Sequence, residues 1–273
     1  MHCKPGAHYR AISVRRSNAQ IEKGDDMAVP LAGRRALVTG GSRGIGRAVV
    51  RRLAGDGAAV AFTYSASAAA AEKLVAEVAE TGGTAVAIQA DSGDPEQVTR
   101  SIDETVTQLG GLDILVNNAG ILPAGPIESL TMDQFDRLVA INIRGVFAAI
   151  QAALPHLGTT GRIINIGSIN ADRVPLAGMS IYAMSKAAVA GLTRALAREL
   201  GPRGITVNNL QVGPTATDMT PEDSEIAGTL RELMALGRFG QPQEIASAVS
   251  YLAGPEAAFI TGANWNVDGG FTV

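Results

Sequence analysis

Along most of the chain, short runs of apolar and β-branched residues alternate with longer stretches whose apolar positions recur every three to four residues. The runs fall at residues 35–38, 59–63, 84–88, 113–116, 162–166, 206–210 and 264–267, and helical stretches lie between them at 45–56, 68–81, 95–109, 132–157, 179–200 and 242–252. This alternation predicts βαβ units and a parallel sheet. The strands are continuous apolar runs, as expected where helices cover both faces of a sheet. Right-handed crossovers then lead to an α/β, doubly wound sheet of about seven parallel strands in one domain. In such a sheet the ligand crevice opens at the carboxyl ends of the strands, so function is sought in the loops that follow them.

Composition narrows the partners. With 46% hydrophobic residues, 18% charged residues and a net charge of −3, the chain reads as a globular domain with no basic surface for nucleic acid. The long apolar stretch at 141–157 is broken by Asn142, Arg144, Gln151 and His156, so it does not suit a bilayer of about 20 apolar residues' span. Cys3 is the single cysteine, which excludes an intramolecular disulfide and a cysteine-built zinc or iron–sulfur site. A cytoplasmic protein without a metal is expected. Residues 1–26 differ from the rest: Lys4, Arg10, Arg15, Arg16 and Lys23 face only Glu22, Asp25 and Asp26, with no apolar signal core. They are read as a disordered extension preceding a domain at 27–273, and His2, Cys3 and His8 as too few ligands for a metal site.

After the first strand comes Thr39-Gly40-Gly41-Ser42-Arg43-Gly44-Ile45-Gly46, leading into a helical pattern. Gly40 suits a tight turn, Gly44 lets backbone approach a diphosphate, and Gly46 lets the helix pack on the strand. The helix N-terminus adds free N–H groups and the positive end of its dipole. The second strand runs into Phe62-Thr63-Tyr64-Ser65-Ala66-Ser67 without the carboxylate that would bind a ribose 2′-hydroxyl and repel a 2′-phosphate. Arg43, Ser65 and Ser67 offer a cation and hydroxyl donors there, so NADP(H) is expected over NAD(H).

Two further features concern acid–base chemistry. Tyr182 and Lys186 lie four apart on a predicted helix and share a face. Hydride transfer to a carbonyl leaves an alkoxide that must be protonated, and a free phenol (pKa about 10) needs a nearby cation to act as a base at neutral pH. Lys186 is that cation. Ser168, after the fifth strand, can hold the substrate oxygen in line with the phenol. His156, the one histidine beyond the first 26 residues, sits at a helix end and reads as a surface residue.

From about Leu31 to its end the sequence resembles the short-chain dehydrogenase/reductase family, including members similar to 3-oxoacyl-acyl carrier protein reductase. TGGSRGIG matches the family's cofactor loop, Asn117-Asn118-Ala119-Gly120 its NNAG element, and Asn142, Ser168, Tyr182 and Lys186 its catalytic tetrad. The resemblance implies a Rossmann-type fold. It also implies that Ser42 and Ile45 join the glycine loop at the cofactor, with Tyr64 beside it. Asp91 would receive the adenine amino group, next to Ser92. Asn118, Ala119 and Gly120 would lie along the adenosine side, and Gly213, Thr215 and Thr217 near the nicotinamide. Lys186 would also bind the ribose hydroxyls, beside Tyr182, and Asn142 would hold a water that relays protons. Val212 stands where the family commonly has Pro.

For the substrate side, residues 215–237 suit a lid, with a helix at 225–236. Leu122, Pro123, Ile169, Val174 and Met179 are the expected lining, mostly apolar, which points to a neutral or hydrophobic ketone or secondary alcohol. No arginine clamp for a carboxylate stands out, although Arg173 is close in sequence. Relatives that reduce 3-oxoacyl thioesters often carry Asn and Gly-Gln just before the catalytic Tyr. Residues 175–182, PLAGMSIY, depart from that, so a carbonyl reductase is the first expectation and a thioester reductase the alternative. A cofactor-binding regulator on the same fold is the non-enzyme alternative, and it would be expected to have lost Tyr182 or Lys186. The resemblance implies a homotetramer.

Overall fold

The structure, a computed structural model, describes residues 29–273. The expected extension at 1–26, with His2, Cys3 and His8, lies outside the described residues. Seven strands, β1 (Arg35–Val38), β2 (Ala59–Tyr64), β3 (Thr84–Gln89), β4 (Ile114–Asn117), β5 (Arg162–Ile166), β6 (Thr206–Val212) and β7 (Asn264–Val267), form one sheet. Its order is β3-β2-β1-β4-β5-β6-β7, with every neighbouring pair parallel. The order reverses between β1 and β4, which places the crevice at their carboxyl ends.

The side-chain period of two along each strand builds two cores. On one face Ala36 and Val38, Val60 and Phe62, Ile114 and Val116 meet α1 (Gly44–Gly55), α2 (Ala68–Glu80) and α8 (Pro242–Ala253) through Val49, Leu53, Leu74, Val249 and Leu252. On the other, Leu37, Ala61, Leu115 and Ile163 meet α3 (Pro95–Leu109), α5 (Val146–Ala153) and α6 (Ser180–Leu200) through Val98, Ile102, Ile150 and Val189. Both faces are covered, which is why these strands read as unbroken apolar runs.

Two expected helices differ. The stretch at 132–157 is one continuous path but not one α-helix: α4 (Met132–Val139) passes through a π-helical turn (Ala140–Gly145) into α5. At this turn the Asn142 side chain bonds away from the helix, and Gly145 lies against the Ser92 carbonyl, where a Cβ would overlap that oxygen. Such tertiary demands leave no mark on apolar periodicity. The lid helix is short as well, α7 (Ala227–Glu232); Leu230 within it and Met234 just beyond it join a small cluster with Ile169, Phe239 and Phe271 rather than the main cores. β6 runs two residues further than expected. Val212 pairs in register with Val267, and the bond that closes the pair comes from the next residue, Gly213 N–H to the Val267 carbonyl (3.1 Å).

Candidate active site

The loop between β1 and α1 is shaped by close packing. Gly40 (φ +66°) and Gly44 (φ +53°) occupy the left-handed region, which costs other residues strain. A Cβ on Gly46 would overlap the Gly40 carbonyl oxygen and lie 2.5 Å from Asn118 Nδ2, so helix and loop meet here with no room for a side chain. The loop is braced from outside the glycine pattern. Gly40 N–H donates to Thr63 Oγ1 (2.9 Å) and Gly41 N–H to the Thr63 carbonyl (2.8 Å). Asn118 Nδ2 donates to the carbonyls of Thr39 and Gly40, each at 2.9 Å. Asn118 and Ala119 N–H groups converge on Thr39 Oγ1 at 3.0 and 3.1 Å. The NNAG element thus holds the loop in place, while Asn117 Nδ2 reaches Asn165 Oδ1 (2.9 Å) on the next strand.

α1 starts with no side-chain cap at Arg43 and no acidic residue in its first turn. Its leading N–H groups are left for an anion. They open into a cleft of about 780 Å³ that runs across the carboxyl edge of the sheet, within the usual range for a small-molecule site.

This cleft collects nearly all the residues singled out from the sequence. Gly40, Ser42, Arg43, Gly44, Ile45 and Gly46 line it with Tyr64, Ser65 and Ser67, and with Asp91 and Ser92. Asn118, Ala119, Gly120, Gly213, Thr215 and Thr217 follow, and then Leu122, Ser168, Ile169, Met179, Tyr182 and Lys186. The end of β2 carries no carboxylate at the cleft; Ser65, Ala66 and Ser67 line it there. Arg43 is largely exposed and lies 3.9 Å from Asp218, a solvent-screened pair that leaves the guanidinium available to a stronger anion.

Three expected residues stand elsewhere. Val174 and Pro123 are absent from the lining, and Val174 is 47% exposed, pointing to solvent because Pro175 and Leu176 turn inward instead. Asn142 is buried behind the cleft. Its Oδ1 accepts from Ile121 N–H (2.9 Å), and its Nδ2 donates to the Ile121 carbonyl (3.0 Å) and Ser185 Oγ (3.1 Å). Its side chain is therefore committed to protein partners and fixes the chain just past Gly120.

Residues that no sequence pattern revealed also line the cleft. Arg137 of α4 forms a two-pronged contact with Asp91 (2.9 and 3.0 Å), and Asp91 Oδ1 further accepts from Gly93 N–H (2.8 Å). The expected adenine acceptor is thus already held by a cation 46 positions away, a separation with no local signature. Pro175, Leu176, Ile226, Leu230 and Phe271 complete the apolar end.

At the chemical centre Ser168, Tyr182 and Lys186 are buried side by side. Ser168 Oγ accepts from Asn170 N–H (3.1 Å). Lys186 Nζ donates to the Ile166 carbonyl (2.8 Å) and lies 5.6 Å from the centre of the Tyr182 ring. Burial pushes the Tyr182 phenol up to about 12, opposed in part by the Ser168 hydroxyl. Burial also pulls Lys186 down to about 8. The net shift of the phenol in the protein is thus upward, the reverse of the lowering expected from Lys186: desolvation of the phenolate dominates, and the group that opposes it is the Ser168 hydroxyl. Tyr182 accordingly holds its proton at neutral pH, the state a proton donor needs.

The Lys186 value sets a pH dependence. The ammonium is charged below about pH 8 and neutral above it, so catalysis that uses its charge is expected to weaken as pH rises through 8. A kcat/KM profile from pH 6 to 10 should show this inflection, and a flat profile would contradict it. Stability moves the other way. Between about 8 and the ordinary 10.5 the unfolded chain binds more protons than the folded one, so this group's contribution to stability rises with pH there.

Among the described residues no cluster of His, Cys, Asp and Glu could hold a metal ion, and no helix is long and apolar enough to cross a membrane. His156 is exposed, away from the cleft.

A family profile described as enoyl-(acyl carrier protein) reductase matches residues 40–272. A short-chain dehydrogenase from Burkholderia cenocepacia, solved in complex with NADP, superposes with a TM-score of 0.88 at 51% identity, covering 89% of this chain and 100% of that one. The cyclic-di-GMP-binding biofilm dispersal mediator protein of Escherichia coli is 48% identical over 88% of this chain and 97% of its own length. A 3-oxoacyl-[acyl-carrier-protein] reductase of Staphylococcus aureus is 42% identical over 86% of this chain and 96% of its own.

Proposed function

The chain belongs to the short-chain dehydrogenase/reductase family, and from that premise we propose that it is an NADP(H)-dependent oxidoreductase interconverting a ketone and a secondary alcohol. The observation that carries this reading is the meeting, in one cleft, of a phosphate-ready glycine loop with the buried Ser168, Tyr182 and Lys186. The residues present fit the dinucleotide. The α1 N-terminus and the loop from Gly40 to Gly46 suit a diphosphate, and Arg43, Ser65 and Ser67 a 2′-phosphate. Asp91 and Ser92 suit the adenine, Asn118 to Gly120 and Lys186 the riboses, and Gly213, Thr215 and Thr217 the nicotinamide. When bound, the nicotinamide supplies or accepts the hydride.

The chain's own groups do the rest. Ser168 Oγ donates to the substrate carbonyl oxygen and holds it beside Tyr182. The Tyr182 hydroxyl gives its proton to that oxygen as negative charge develops on it. Lys186, kept charged at neutral pH and anchored on the Ile166 carbonyl, favours the phenolate left behind. Asn142 keeps the segment after Gly120 in position from behind.

The test is NADPH oxidation across cyclic and aryl ketones with acetoacetyl thioesters beside them, and with NADH in parallel. Turnover of the ketones with NADPH is expected; clear preference for NADH would sink the cofactor assignment. The Staphylococcus aureus relative favours a second reading, a 3-oxoacyl-thioester reductase, which predominant turnover of the thioesters would select. The name of the Escherichia coli relative favours a regulator that binds a phosphate-rich ligand, for which NADPH binding without turnover of any carbonyl would speak. A homotetramer is part of the first reading. It is supported by an apolar groove between Val139, Phe147 and Leu192 and by exposed Phe259 and Trp265 near β7, and a monomer in light scattering would contradict it.

A further inference from the structure

The apolar end of the cleft is closed by a residue that lies beyond the last strand and in none of the motifs. Phe271 is 2% exposed, lines the cleft, and packs in one cluster with Ile169, Leu230 and Met234. Its position is imposed from several sides. The Asp268 carboxylate accepts from Gly270 N–H (3.0 Å), Thr272 N–H (3.0 Å) and Thr272 Oγ1 (2.7 Å), which folds residues 268–272 into a compact turn. Leu236 N–H donates to the Gly269 carbonyl (3.0 Å), joining this turn to the end of the lid. Arg173 Nη1 donates to the Phe271 carbonyl and to the Val273 backbone oxygen (3.3 Å), and the guanidinium carbon lies 5.8 Å from the Phe271 ring centre.

Arg173 belongs to the loop that also carries Ser168: its N–H donates to the Ile169 carbonyl (2.9 Å). One side chain therefore links the loop that positions the substrate oxygen to the wall facing the substrate's substituents. Arg173 itself does not line the cleft. Among the described residues the cations that do are Arg43, Arg137 and Lys186, Arg137 being paired with Asp91 and Lys186 anchored on Ile166. A substrate carboxylate would find no arginine of the described residues at the apolar end.

We infer that Phe271, held by Arg173, determines specificity at this end: it sets the size limit for the larger carbonyl substituent and restricts the site to uncharged ones. This rests on the ketone-reductase reading and names its substrate class. Phe271 meets the substrate, and Arg173 is a positioning residue that acts through it.

The test uses the full chain and a series of aryl alkyl ketones of increasing alkyl length. Each ketone is followed by NADPH-dependent turnover and by calorimetric titration into the cofactor-free protein. Phe271→Ala is expected to shift kcat/KM and binding toward the longest ketone relative to the shortest by about tenfold or more, the scale on which pockets discriminate methylenes. Phe271→Leu should shift it in the same direction by less, and decides the matter if the Ala variant does not fold. Arg173→Met should raise KM across the series with little change in kcat and blur the size limit, and Arg173→Lys should recover part of it. NADPH affinity, read by fluorescence titration, should stay at the wild-type value in all four. If the wild type reduces these ketones and the Phe271 variants keep its size profile in both readouts, the inference is overturned and the ketone-reductase reading stands. If the wild type turns over no ketone, that reading fails and the inference falls with it.

Discussion

Tyr182→Phe is expected to lower ketone reduction by about 10²–10⁴, the contribution of a positioned general acid, while NADPH binds as in the wild type. The change removes a single oxygen from a side chain that is 8% exposed and packed against Leu138 and Ile181, so the fold and the cleft walls are left in place. What disappears is the proton source. Burial holds the phenol at about 12, so at neutral pH Tyr182 is protonated and the alkoxide oxygen formed on reduction is the stronger base. Without it the proton must come from water, in a pocket that Ile169, Leu176, Met179 and Phe271 keep largely apolar. Single-turnover reduction together with a fluorescence titration of NADPH checks both halves. Full activity in this variant would defeat the mechanism, and loss of NADPH binding would show instead that the phenol is a structural or cofactor contact.

The second large effect concerns the loop. Gly46→Val is expected to weaken NADPH binding by roughly 5- to 150-fold, taking about 1–3 kcal/mol for overpacking and about 1.4 kcal/mol per factor of ten in affinity. The added Cβ would overlap the Gly40 carbonyl oxygen and press on Asn118 Nδ2 and Gly41 Cα, at 2.5 and 3.0 Å. Two of these are backbone, and the third is the amide that hydrogen-bonds the carbonyls of Thr39 and Gly40. Relief requires α1 to move off β1, which takes the first-turn N–H groups away from the cleft. Gly55→Ala, at the far end of the same helix with nothing within 4 Å of its added Cβ, is the control and should bind NADPH as the wild type does. Equal affinities in the two variants would show that the close packing at Gly46 does not shape the site.

How much of this was legible in the sequence follows the range of each interaction. β1 and β5 begin and end where the apolar runs do, because burial on both faces leaves a local signal along the strand; β7 coincides with its run as well, although its central residues Trp265 and Asn266 are exposed. The break of α4 and α5 by a π-turn was not legible, since its causes, Ile121, Ser185 and Ser92, come from other elements. Val174 was expected at the cleft from its place after Ser168, yet the turn beyond Ala171 points it to solvent, and adjacency along a loop does not fix direction. The Tyr182 phenol illustrates a further limit. The Tyr–Lys spacing shows that a cation is near, but whether the cation or desolvation governs the phenol depends on how deeply both are buried.

The parallel sheet, the glycine loop before α1, and the shared face of Tyr182 and Lys186 follow from the order of residues alone, since each is a consequence of backbone geometry acting within one or two turns or one strand. Packing of the layers is what pairs Arg137 with Asp91, spends Asn142 on Ile121 and Ser185, and sets Arg173 to hold Phe271 over the apolar end of the cleft. Those contacts join residues 21 to 98 positions apart. Their geometry follows from how the layers pack, not from any periodicity along the chain.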